Sequence, residues 1–283
     1  MLNIIGLQAI PLAKWIDSLV NELTKFTEFF NVISNFIGGI INGFQWFFDL
    51  IPFWLFIIII IALTAFANKK KQNYALLVFE LLGLLLIVNL GFWRDMTQTL
   101  TLVLTSTLIS LIIGIPVGIW MGKSDTAELI FKPILDFMQT MPAFVYLIPA
   151  VAFFGIGMVP GVVASVIFAM PPTVRMTNLG IRQVPTELIE AAESYGSTKW
   201  QELFKVQLPL AKSTMMAGVN QSMMLSLSMV VIASMIGAMG LGTRVYFAVG
   251  RNDAGNGFAA GIAIVILAII LDRLTQALTK QKK

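Results

Sequence analysis

Apolar residues run almost without interruption over about 51–67, 74–93, 99–121, 138–156, 158–173, 214–236 and 258–277. Measured against the roughly 20 residues a helix needs to cross the hydrocarbon core, these runs predict seven membrane-spanning helices. A lipid-embedded backbone must satisfy its own hydrogen bonds, and continuous runs rather than short alternating segments select helices over a barrel. Pro116, Pro142, Pro149, Pro171 and Pro172 interrupt several runs and blur their ends. Ahead of the first run the pattern changes. Leu12, Trp15, Ile16, Leu19, Leu23, Phe26, Phe30 and Ile33 recur at helical spacing, opposite Lys14, Asp17, Ser18, Asn21, Glu22, Lys25 and Glu28. The charges make crossing costly, and the aromatic-rich stripe suits a helix lying in the bilayer interface. Packing against the protein's own outer spans is the alternative.

Composition agrees with this pattern. Of 283 residues, 57% are hydrophobic and 12% charged, with mean hydropathy +0.85, where a soluble domain carries about 25% charged residues. The fold class is therefore an all-α integral membrane protein. Its net charge of +4 does not point to nucleic acid, because the basic residues flank apolar spans instead of clustering on a soluble face. They sort by loop. Lys69, Lys70 and Lys71, then Lys123 and Lys132, then Arg175, Arg182, Lys199, Lys205 and Lys212, then Arg273, Lys280, Lys282 and Lys283 fall on one side. The other side holds Lys14, Lys25, Arg94, Arg244 and Arg251. By the positive-inside rule the N-terminus is predicted outside and the C-terminus cytoplasmic, which makes the amphipathic helix extracytoplasmic. The absence of cysteine and histidine removes thiolate chemistry, the commonest metal ligand and the commonest general base; no metal site and no catalytic residue are expected. The opening "MLNIIGLQAI" lacks a basic n-region and does not read as a cleavable signal.

The longest predicted cytoplasmic connection, "NLGIRQVPTELIEAAESYGSTKWQELFKVQLPLA", is polar and charged. Pro185 is tolerated in a first helical turn, Glu187 and Glu190 favour the positive end of a helix dipole, and Gly196 is a natural left-handed terminator. Thr198 with Gln201 forms a capping box for a second helix, which Pro209 is expected to stop after Leu208. A helix pair turned on glycine also occurs in DNA readers, but seven spans and only Lys199 and Lys205 on the second helix argue against that. Propensity alone leaves an ordinary solvated hairpin open.

The pattern Glu190-Ala191-Ala192, Gly196 and Leu208-Pro209 resembles the EAA loop of ABC importer permeases. "DFMQTMPAFVYLIPAVAFFGIGMVPGVVASVIFAMPPTVRMTNLG" and "GVNQSMMLSLSMVVIASMIGAMGLG" look like the permeases of glycine betaine/proline betaine importers, over roughly residues 96–277. One departure is Met239, where related permeases often have proline before "GLG". The resemblance implies the ABC importer permease fold. It also implies a coupling helix, carried by Glu190, Ala191, Ala192, Gly196, Leu208 and Pro209, that docks in a separate ATPase holding ATP and Mg. Two permease copies, two ATPase copies and an extracytoplasmic substrate-binding protein would complete the assembly. The expected organisation is an amphipathic segment at 1–50, two peripheral helices at 51–95, a permease core at 96–277 with the coupling loop at about 180–212, and a basic cytoplasmic tail at 278–283.

"GIWMGKS" is not a P-loop: three residues, not four, separate Gly118 from Gly122, and an apolar span precedes them. The Gly118 and Gly122 spacing instead suits close helix packing, and ATP is expected to be hydrolysed by a partner. Glu80 is a carboxylate deep in a predicted span, where ionisable groups are costly; an ion-coupled secondary transporter would use it as the coupling acid. Gln139, Phe144, Tyr146, Asn220, Gln221 and Ser222 are candidates for the translocation path, with neutral polar groups for weak contact with a zwitterion and aromatic faces for a quaternary ammonium. Interhelical hydrogen bonding and ring packing, here including Phe153 and Phe154, are the alternatives. The glycine-rich stretch 237–257 is a candidate external gate or docking edge, against a plain loop.

Overall fold

The computed structural model describes residues 11–67 and 74–279. The N-terminal stretch 1–10, the lysines at 69–71 and the basic tail from 280 lie outside the described residues. Regular structure among the described residues is helical. In order the helices are α1 (Leu12–Thr24), α2 (Thr27–Leu50), α3 (Phe53–Ala67), α4 (Tyr74–Asn89), α5 (Trp93–Lys123) and α6 (Asp125–Thr140). A 3-10 turn (Ala143–Tyr146) then leads into α7 (Leu147–Phe154), α8 (Met158–Arg182) and α9 (Thr186–Ser194). The chain continues through α10 (Lys199–Gln201), a π-helix (Glu202–Gln207), α11 (Leu208–Ser234), α12 (Leu241–Gly250) and α13 (Ala254–Thr279).

The centre is a sandwich of α5, α8 and α11, with α8 in the middle. Small residues set its spacing. A Cβ on Gly118 would lie 2.5 Å from Thr177 Cβ and 2.7 Å from the Val174 carbonyl, and one on Gly122 would lie 2.8 Å from Ile181 Cβ. On the opposite face of α8, a Cβ on Gly218 would lie 2.7 Å from Met176 Cβ and 2.9 Å from the Pro172 carbonyl. Close backbone approach of this kind is how helices gain packing energy in lipid, where burial of apolar surface gives no net drive. The polar stripe of α5, including Thr97, Thr99, Thr101, Thr105, Ser106 and Ser110, is buried in this sandwich and kept from lipid. Hydroxyl pairing helps: Thr173 and Ser222 bond at 2.7 Å between α8 and α11.

Four described helices are long and apolar enough to cross a membrane: Trp93–Lys123, Met158–Arg182, Lys199–Ser234 and Ala254–Gln276. Two bent pairs pass only together, α2 with α3 at 101° and α6 with α7 at 107°, and α4 is a shorter apolar helix. The expected span 138–156, interrupted at Pro142 in the sequence, is the end of α6, the 3-10 turn and α7 in the structure. Met141 takes an extended conformation (φ −68°, ψ 135°), as the Pro142 ring requires of the residue before it. The amphipathic N-terminal helix is likewise two helices, broken at Lys25–Phe26. α1 buries no residue, and Trp15, Ile16 and Leu19 stay exposed. α2 instead packs inward through Ile37, Ile41 and Phe48, and Phe30 stacks on Phe153 at 4.6 Å between ring centroids. α1 thus keeps most of its apolar stripe exposed while approaching α7, and α2 packs on the protein.

The stretch 237–257 contains α12, a ten-residue helix, so its centre is not open loop. A Cβ on Gly242 would lie 2.3 Å from the Val230 carbonyl, which seats α12 tightly on α11. Its first amide, on Leu241, donates to Thr99 Oγ1 of α5 at 2.9 Å.

Candidate functional site

The polar connection folds as a hinge between two helices. Pro185 precedes α9 in an extended conformation, and Glu187 lies in the first turn. The helix ends in a Schellman motif: Gly196 sits at φ +78°, its amide donates to Glu193 O, and the Ser197 amide reaches back to Ala192 O. Thr198 then starts the next helix through a complete capping box. The Gln201 amide donates to Thr198 Oγ1 at 3.4 Å, and the Thr198 amide donates to Gln201 Oε1 at 2.9 Å. Lys199 pairs with Glu193 across the bend and with Glu202 at 3.4 Å along its own helix. The loop is fixed to the membrane helices by Leu203, which buries against Ile181 and Ala211.

Beyond Gln201 the expected stop after Leu208 does not occur. The chain passes into the π-helix and runs straight on into α11, with Pro209 in the first turn of that helix. Proline removes one amide donor and crowds the preceding turn, and the wider π turn relieves that crowding. Within it Glu202 is buried, accepting from Gln207 Nε2 at 2.8 Å.

The outer face of this hinge is solvent-facing. Glu190 and Ala191 are exposed, and Ala192 is half-buried. Tyr195 is 92% exposed; Trp200 and Phe204 are exposed and stack on each other at 5.4 Å. Sequence reasoning passed over these aromatics, although Trp200 and Phe204 stand at i and i+4 beside the capping box. It also treated Arg182 only as a topology marker. Arg182 is in fact the hub of a polar cluster at the loop's base, with Nη2 2.8 Å from Asp125 Oδ1, 3.0 Å from Glu128 Oε2 and 2.9 Å from the Met121 carbonyl.

The six path candidates do not form one surface. Gln139, Phe144 and Tyr146 lie together at the bend between α6 and α7, with Gln139 and Phe144 exposed and Tyr146 buried. The Tyr146 hydroxyl donates to the Met138 carbonyl and pins that bend. On α11, neighbouring residues point about 100° apart. Asn220 donates to Asp272 of α13 at 2.8 Å, Ser222 faces α8, and Gln221 is exposed. Phe153, with Phe154, is engaged by Phe30 of α2. Glu80 is wholly buried within α4, where it accepts from Thr64 Oγ1 at 3.0 Å.

A membrane helix that turns through a glycine-hinged polar loop and returns to the bilayer is matched by sequence as well as by shape. Residues 114–283 match the family described as binding-protein-dependent transport system inner membrane component. The chain belongs to this family. It is 76% identical over 278 residues to the glycine betaine/carnitine transport permease protein GbuB of Listeria monocytogenes, covering 98% of this chain and 99% of that one. Identity is 56% with the glycine betaine transport system permease protein OpuAB of Bacillus subtilis, covering 98% and 97%. It is 49% with the glycine betaine/proline betaine transport system permease protein ProW of Escherichia coli, covering 97% and 77%. The fold is that of the MetNI methionine ABC transporter permease solved in inward-facing conformations, with TM-score 0.59 at 23% identity, covering 65% of this chain and 94% of that one. The chain is thus a multi-pass inner-membrane permease component of an ABC importer, and the ion-coupled alternative built on Glu80 is set aside.

Proposed function

We propose that this permease imports glycine betaine or related quaternary ammonium solutes, using ATP hydrolysed by a separate ATPase. The observation that carries the reading is 76% identity along nearly the whole chain to a permease named for glycine betaine and carnitine. Two copies of this chain form the path, two ATPase subunits that hold ATP and Mg engage the coupling loops, and an extracytoplasmic binding protein delivers the solute. The chain is a transport subunit with no nucleotide site of its own. Its N-terminus lies outside and its C-terminus in the cytoplasm, which puts α9 and α10 on the ATPase side. The layout of segments is that expected from the sequence: 1–50 as the amphipathic N-terminal segment, 51–95 as two peripheral helices, 96–277 as the permease core and 278–283 as the basic tail.

Glu190, Ala191, Ala192, Gly196, Leu208 and Pro209 are the coupling residues. The exposure of Glu190 and Ala191 beside a conformationally fixed Gly196 supports this: a stiff, accessible connector transmits displacement where a floppy one absorbs it. Closure of the ATPases then biases two permease conformations through unequal contacts with this loop. Gln139, Phe144 and Tyr146 are retained as path residues at the α6–α7 bend. Asn220, Gln221 and Ser222 are its polar contribution from α11, with Asn220 and Ser222 exchanging their interhelical bonds as the path opens.

The test is uptake of labelled glycine betaine into proteoliposomes holding the permease, its ATPase and its binding protein. ATP-dependent uptake that also requires both partners is expected. Uptake by the permease alone, driven by an ion gradient, would overturn the reading.

A further inference from the structure

We infer that Arg182 is the joint through which the coupling loop steers α6, and with it the bent segment that carries Gln139, Phe144 and Tyr146; this rests on the coupling role proposed above. Arg182 is the last residue of α8, and α9 begins four residues later. Its guanidinium gathers two other elements and its own helix at that point. It meets Asp125 and Glu128 in the first turn of α6, the Met121 carbonyl near the end of α5, and Asn178 Oδ1 at 3.0 Å one turn back on α8. Asn178 Nδ2 in turn donates to Glu128 Oε1 at 3.3 Å. The planar fork of arginine presents several donors in fixed directions, which lysine cannot do.

The rest of α6 is held differently. Further along the same helix, Arg175 of α8 pairs with Asp136, and a small apolar cluster of Met121, Leu135 and Val174 fills the seam. Leu129, Ile130, Ile134 and Phe137 on the outward side stay exposed. At the far end of α6 the Tyr146 hydroxyl grips the Met138 carbonyl. A helix fixed by polar contacts at both ends, with a lipid-facing outer side, works as a rod between the loop and the bend. Polar contacts can exchange partners as the rod tilts, whereas glycine-packed seams such as α5 on α8 cannot slide without clash.

The experiment uses the complete reconstituted complex and two readouts. The first is solute taken up per ATP hydrolysed. Arg182→Ala is expected to lower this ratio by about tenfold, within the range that mutations in a coupling network produce, while ATP hydrolysis persists. Arg182→Lys should fall between it and the parent, and Asp125→Asn with Glu128→Gln should match Arg182→Ala. The second readout is the distance between spin labels on cysteines introduced at Leu129 and Gln183, both exposed, in a chain that has no cysteine of its own. In the parent this distance should be the same with and without trapped ATP, because α6 moves with the loop. In Arg182→Ala it should change between the two states, which loss of mere structural support would not produce in an assembled complex. Should Arg182→Ala fail to assemble, the acid-side double variant decides on the same two readouts. An unchanged uptake-to-hydrolysis ratio, or a label distance insensitive to both variants, overturns the joint while leaving the coupling role in place. Parent uptake independent of ATP overturns the coupling role itself.

Discussion

The two faces that α8 presents are built from different materials. Toward α5 and α11 it meets glycines at distances a single added carbon would violate, as at Gly118 and Gly218. Toward α6 it presents arginines to carboxylates: Arg175 to Asp136, and Arg182 to Asp125 and Glu128. Steric packing holds one arrangement, because close-packed interiors have low compressibility and few voids into which atoms can shift. Charged contacts are weaker individually and re-form in more than one geometry. A transporter needs both: a body that stays whole while it tilts, and an attachment that passes the tilt on.

This contrast can be broken most severely at the packed face. Gly118→Leu places a Cβ 2.5 Å from Thr177 Cβ and 2.7 Å from a backbone carbonyl that cannot retreat. Overpacking of this kind costs about 3 kcal/mol or more, so the variant should lose most of its folded yield and melt well below the parent in detergent. At the hinge, Gly196→Ala forces an alanine to φ +78°, at a cost of about 1 kcal/mol. It should fold normally, yet transport less per ATP hydrolysed in the reconstituted complex. Ser222→Ala removes the bond to Thr173, and such interhelical bonds in membranes average about 0.6 kcal/mol. A small loss of thermal stability is expected; because the Ser222 hydroxyl also donates to the Ala169 carbonyl, Thr173→Val should lose less than Ser222→Ala, and the double variant no more than Ser222→Ala alone. Smallest of all is Arg175→Gln. Both side chains of that pair are exposed, so stability should change by less than about 0.5 kcal/mol, and raising the salt should erase the difference from the parent. A large effect at Arg175 or a negligible one at Gly118 would remove the distinction between the faces.

The hinge was legible in the sequence almost residue by residue, because its signals are local. A glycine that must turn left-handed, a Thr198–Gln201 pair at i and i+3, and a proline before α9 are all contained within one or two turns of chain. The all-helical membrane class was legible for a similar reason, since long apolar runs have few other solutions in lipid. What escaped depends on partners far along the chain. Arg182 reads as one more cytoplasmic charge until α6 is folded beside it, with Asp125 and Glu128 more than fifty residues away. The hydrogen bond from Asn220 to Asp272, on a helix 52 residues further along, is equally invisible in the sequence. The break before Pro142 was visible as a proline, but proline bends some membrane helices and ends others. Here the extended Met141 ends α6, and only the fold shows which outcome applies.

The π-helix at Glu202–Gln207 sets a phase. Each residue of an α-helix advances about 100° around its axis, so a wide turn with a surplus residue rotates everything on one side of it relative to the other. Trp200, ahead of the π-helix, and Phe204, within it, are exposed, while Leu208 just beyond it packs inward. The join therefore behaves like a keyed shaft rather than a tether. Removing one residue from it would shorten the connection only slightly, yet would turn the aromatic pair about a quarter of a revolution away from the face it now presents.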